Sequence, residues 1–118
     1  MTIAVKSPFA FLWDEPANEP FTTLLKRDWE FLPEFDIDGL LVKMTGAFAW
    51  DADGYVDALR IKRETDAAAI RMDRAGGKVW EREGDTLTIL HQLVDLPAPS
   101  DPRAPRLVIG SAPRLWTL

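Results

Sequence analysis

The sequence predicts an α+β fold. Its expected core is an antiparallel meander sheet of four to five strands, with two helices at about residues 20–32 and 86–96 packed on one face. Two observations carry this. Between Leu40 and Glu83, the runs LLVKMTGAFAW, YVDALRIKR, AAAIRM and KVWERE read as strands joined by short turns. One amphipathic stripe precedes that stretch and another follows it. Sheet and helices each have an apolar face, and placing both helices on the same side buries all of them. The other side of the sheet then faces solvent or a partner.

Residues 1–12 alternate weakly, and IAV or FAFL reads as an edge strand. Asp14 to Pro20 is a loop that prepares a helix, with Asn18 as N-cap and Pro20 in the first turn. From there to Leu32, helical spacing gathers Phe21, Leu24, Leu25, Trp29, Phe31 and Leu32 on one arc, and Pro33 ends the helix. Asp28 is the misfit. A carboxylate inside an apolar arc must be paired or protonated. Arg106 and Arg114 are candidate partners, and the alternative is a protonated acid at the mouth of a pocket.

Glu34 to Gly39 is an acidic connector. Leu40, Val42, Met44, Phe48 and Trp50 then form the core side of the first strand. Asp51 to Gly54 is a hairpin turn, with Gly54 supplying positive φ. Tyr55, Leu59 and Ile61 continue the core side. Glu64 to Asp66 turns the chain again, and Ala68, Ile70 and Met72 follow on the core side, with a short helix capped by Thr65 as the alternative. Asp73 to Gly77 is a loop and Lys78 to Glu83 the fourth strand. Asp85 caps the second helix, whose Leu87, Ile89, Leu90, Leu93, Val94 and Leu96 form a wide stripe. Residues 97–105 are a stiff proline-rich loop. Arg106 to Gly110 is a last short strand, which Arg114 to Leu118 extend or brace. Trp13, Trp29, Trp50, Trp80 and Trp116 are spread through the chain as core and rim anchors rather than a binding stripe.

With 118 residues, 47% apolar and 28% charged, the chain makes one domain, 1–118, that can build a core without staples. It has no cysteine, which excludes disulfides and thiolate metal sites. The N-terminus lacks a basic start followed by a long apolar run, so no signal peptide is expected. No apolar run approaches the roughly 18 residues of a membrane span. A soluble, cytoplasmic protein is the expectation. The net charge of −5 is uneven: residues 1–57 hold eleven acids and four bases, residues 58–118 eight acids and ten bases. The acidic half speaks against nucleic acid as a partner.

No catalytic constellation emerges. Asp51, Asp53, Gly54 and Asp57 partly match a calcium-loop spacing, but Ala49 stands where the motif would open with Asp and Arg60 where its late Glu would be. His91 is the only histidine, four residues before Asp95 on the second helix. Ser7, Ser100 and Ser111 lack a nucleophile-elbow context. Gly76-Gly77-Lys78 lacks the Walker spacing. No metal or cofactor is expected.

The remaining candidate is a surface. If Trp50 faces Tyr55, Lys43 lies opposite Lys62 and Thr45 opposite Arg60. If Glu64 faces Ala67, Arg60 lies opposite Arg71. Lys43, Arg60, Lys62 and Arg71 then share the non-core face among small residues, where like charges call for a counter-charge. The functional expectation is a non-catalytic binding module that takes an acidic protein partner or anionic ligand on that face. The alternatives are a small-molecule binder or enzyme with a pocket between sheet and helices, using Asp28 or His91, or an immunity-type protein neutralising a basic partner.

Overall fold

The computed structural model describes residues 9–51 and 54–111. After a 3-10 turn at Ala10–Trp13 come α1 (Asn18–Lys26), β1 (Glu30–Phe35), β2 (Leu41–Ala49), β3 (Val56–Arg63), β4 (Asp66–Met72), β5 (Gly77–Gly84), α2 (Thr86–Asp95) and β6 (Gly110–Ser111). The strands form one antiparallel sheet in chain order, six strands rather than four or five. Phe21 and Leu24 of α1 and Ile89, Leu90 and Leu93 of α2 share one core with Met44, Leu59, Ile61, Ala67, Ala69 and Trp80. These sheet residues lie on one face by register, so both helices pack on the same side.

The additional strand comes from residues assigned above to a helix end and a connector. α1 stops at Lys26 because Asp28 adopts the left-handed conformation, φ 68°. The Asp28 N–H donates to the Leu25 carbonyl and the Trp29 N–H to the Leu24 carbonyl, each at 3.2 Å. This is a Schellman closure, with aspartate where glycine is usual. The misfit carboxylate therefore marks the helix end, and it is exposed. Arg106, one of its candidate partners, instead donates to the Pro99 and Asp101 carbonyls. Arg114 lies outside the described residues. Pro33 does not stop a helix; it sits in edge strand β1, where a missing N–H is tolerated. Asn18 begins α1 rather than capping it, and its Nδ2 donates to the Leu12 carbonyl at 3.1 Å.

The turn from Trp50 to Tyr55 closes as expected: the Trp50 N–H donates to the Tyr55 carbonyl, Gly54 has φ 71°, and Thr45 lies opposite Arg60. The next register differs. Arg63 pairs with Asp66 and a bulge follows at Lys62, so Arg60 lies opposite Ala68 and Asp57 opposite Arg71. An odd shift exchanges faces. Ala67, Ala69 and Arg71 look toward the helices, while Ala68, Ile70 and Met72 lie on the far face, where Ala58, Ile70 and Met72 form a second buried cluster with Val56. The segment is a strand and not a helix. Leu40 and Val42, expected in the core, are exposed, and α2 lies against β4 and β5, away from the β1–β2 end of the sheet. Trp29 and Trp80 are buried but Trp13 is exposed; Trp116 lies outside the described residues.

α2 starts where the sequence places it. Asp85 holds the cap position without a side-chain hydrogen bond, and the buried Thr86 hydroxyl donates to the Arg63 carbonyl at 2.7 Å. The Thr86 N–H also donates to the Glu64 carbonyl, so the β3–β4 turn anchors α2. Of the expected edge strand in residues 1–12, IAV lies outside the described residues, and Ala10–Trp13 is the 3-10 turn. The last strand is shorter and later than expected. No described helix is long and apolar enough to cross a membrane.

Gly46 is buried beneath the Phe31 ring, and a Cβ built on it would meet Phe31 Cε1 at 2.5 Å. That ring is held by Phe21 and Trp29, with centroids 5.0 and 6.0 Å away. Gly46→Ala is expected to cost about 1–3 kcal/mol in urea unfolding. In the loop after α2, Asp101 accepts from the Arg103 guanidinium and from its backbone N–H, which lowers its pKa from 3.8 to about 2. A depressed carboxylate stabilises above its unfolded pKa and loses that effect as pH falls through its folded one. An NMR titration should place the Asp101 midpoint near 2 rather than 3.8.

Candidate functional site

The shifted register creates a site. Asp57 and Arg71 sit opposite each other on β3 and β4, on the helix side of the sheet. The Arg71 side chain is 0% exposed. Its Nε donates to Asp57 Oδ1 at 2.6 Å and its Nη2 to Asp57 Oδ2 at 2.8 Å, while Nη1 donates to the Pro97 carbonyl at 2.6 Å. Trp50 Nε1 donates to the same Asp57 Oδ2 at 3.1 Å, and the guanidinium carbon lies 5.5 Å from the Trp50 ring centroid. Burial of either charge alone would be prohibitive; the side-on pair and its neutral partners make it tolerable.

Beside this unit a cleft of about 220 Å³ opens between the sheet and the ends of both helices. Trp29, Phe48, Trp50, Leu93 and Leu96 form its apolar lining, with Asp57 and Arg27 as its polar groups. Phe48 meets the Trp50 ring edge-on at 4.8 Å, and Trp29 lies nearly parallel to Phe48 at 6.5 Å. Arg27 is exposed, and its Nη1 donates to the Val94 carbonyl at 3.1 Å, which joins the end of α1 to the last turn of α2. The Asp57 carboxylate already accepts three hydrogen bonds of the roughly four it can take, and the lining has no hydroxyl, thiol or imidazole. These groups can bind and orient a ligand.

The residues singled out from sequence are placed differently. Register puts Lys43 and Arg60 on the face away from the helices, Lys62 is exposed at the β3 bulge, and Arg71 is buried on the opposite face, so the four cations do not form one cluster. Arg71 balances Asp57 and cannot reach a partner. The face that holds Lys43 and Arg60 is of mixed charge: Lys43 Nζ lies 2.9 Å from Glu34 Oε2, and Glu83 lies across Ala68 from Arg60. Asp28 borders a separate hollow with Glu30, Ala47, Phe48, Ala49 and Val56. His91 is exposed and does not line the cleft. Asp53 of the calcium-like turn lies outside the described residues, and Asp57 is bound to Arg71. Among the described residues no group of three or more His, Asp or Glu could hold a metal ion. Asp57 and Arg27 were missed as site residues. The available signal was alternation, since Asp57 falls between Tyr55 and Leu59 on the side read as core. No family model, curated protein or solved structure matches the chain.

Removing one partner of a buried pair strands the other. Arg71→Ala and Asp57→Ala are each expected to cost about 3–5 kcal/mol in urea unfolding. The double variant should cost less than the sum, because neither charge is then stranded. Additive losses would show that the two side chains do not depend on each other.

Proposed function

We propose that the protein is a non-catalytic binding module whose small-molecule site is the cleft between the sheet and the helix ends. The observation that carries this reading is an aromatic lining with two fixed polar groups, Arg27 and Asp57, in a cleft of about 220 Å³. Ligand sites favour such composition: mostly apolar walls with a few placed polar groups. The volume is below the range of roughly 300–1,000 Å³ common for ligand clefts. It exceeds the about 150 Å³ that suffices for benzene. The occupant is therefore the size of one or two fused rings.

A second reading keeps the outer sheet face as a surface for an acidic partner, through Lys43, Arg60 and Lys62. The common face of Lys43 and Arg60 supports it. The Glu34 carboxylate on Lys43 and the acidic residues of β5 weaken it, because they supply counter-charge from within the chain.

NMR titration with indole is the test. Trp50 and Trp29 indole N–H signals should shift with saturation, while exposed Trp13 stays unmoved. Leu96→Trp, which fills the rim of the cleft, should weaken binding about tenfold or more. Saturable shifts at Lys43, Arg60 and Lys62, with none at Trp50, would favour the outer face instead.

A further inference from the structure

We infer that the cleft selects a planar aromatic anion, with its rings among Trp29, Phe48 and Trp50 and its carboxylate on Arg27. This inference rests on the cleft being a binding site and concerns which ligand it takes. An aromatic box can equally serve a cation, and a buried aspartate beside it would ordinarily favour one. Here that aspartate is already neutralised. Both Asp57 oxygens are held by Arg71 at 2.6 and 2.8 Å, and Arg71 is fully buried behind them. The floor is a dipolar unit without net charge, which leaves Arg27 as the uncompensated charge of the lining.

Neighbouring carboxylates do not line this cleft. Asp28 and Glu30 border the hollow beyond Phe48, and Asp95 borders another with Trp80, Arg82 and Gln92. The helix ends could supply partial negative charge, but the carbonyls of Leu24, Leu25 and Val94 are occupied. The Schellman turn takes those of Leu24 and Leu25 in α1, and Arg27 itself takes that of Val94 in α2. That bond fixes the guanidinium at the rim while using one of its five N–H donors. The others form a fork suited to a carboxylate.

Three indoles of matched ring and different charge test this on the full chain by calorimetry: indole, indole-3-acetate and tryptamine. Indole-3-acetate should bind about fivefold more tightly than indole, the ratio expected of an exposed ion pair. Tryptamine should bind more weakly than indole. Arg27→Gln should bring indole-3-acetate and indole to equal affinity, the ratio of the two within the variant being the readout. Arg27→Lys, which keeps the charge but loses the fork, should restore part of the preference. If tryptamine binds as tightly as indole-3-acetate, or if the preference survives in Arg27→Gln, the ligand class is overturned while the cleft stands. If none of the three binds, the cleft reading fails and this inference with it.

Discussion

The buried pair of Asp57 and Arg71 is the constraint on which the rest of the sheet depends. A guanidinium with no solvent exposure requires a carboxylate within reach, and here the residue opposite on β3 supplies it. That requirement fixes the β3–β4 register. A one-residue slip would turn one charge to the far face and strand the other, on top of exposing the apolar set. With the register fixed, Ala67 and Ala69 face the helices. Their small side chains let α2 approach β4, so Ile89, Leu90 and Leu93 reach the core.

The same pair couples the sheet to the chain beyond α2. Arg71 Nη1 holds the Pro97 carbonyl, and the following loop is closed by Asp101 with Arg103 and by Arg106 with the Pro99 and Asp101 carbonyls. Pro97 directly follows Leu96, one wall of the cleft. On the other side, Asp57 holds the Trp50 indole, another wall. One ion pair therefore positions two walls of the cleft that lie far apart in the chain. Its hydrogen bonds are spent on architecture, which leaves the cleft with fixed walls and a neutral floor.

Legibility in the sequence followed the locality of the signal. α2 was readable because a wide apolar stripe, Asp85 and Pro97 agree on the same span. The β2–β3 register was readable because the turn closing on Gly54 determines it. The end of α1 was not readable. Trp29, Phe31 and Leu32 fit a helical wheel as well as a strand, and only the left-handed Asp28 separates the two. The β3–β4 register was lost at the Lys62 bulge, which turn residues do not announce. That error moved Arg71 from the core to the surface, and with it the candidate site. A lone arginine in a strand looks like a solvated cation until its partner is known, and the partner here is fourteen residues away on the neighbouring strand.

The composition of the cleft follows from where secondary structure stops. Arg27 and Trp29 flank the left-handed residue that ends α1, Trp50 is the first residue past β2, and Leu96 the first past α2. Regular packing of helices on a sheet fills the space between layers where elements run side by side. Where they end, the chain turns away and the layers separate. Large side chains can line such a gap without filling it. In this chain the positions are taken by two tryptophans, a leucine and an arginine, and Phe48 and Leu93 close the wall from within β2 and α2. A substitution that extends α1 by one turn, by relieving the left-handed residue at Asp28, would redirect Trp29 and remove one face of the box. The cleft is thus tied to the Asp28 closure as firmly as to the Asp57–Arg71 pair, though neither group is a feature that binding alone would demand.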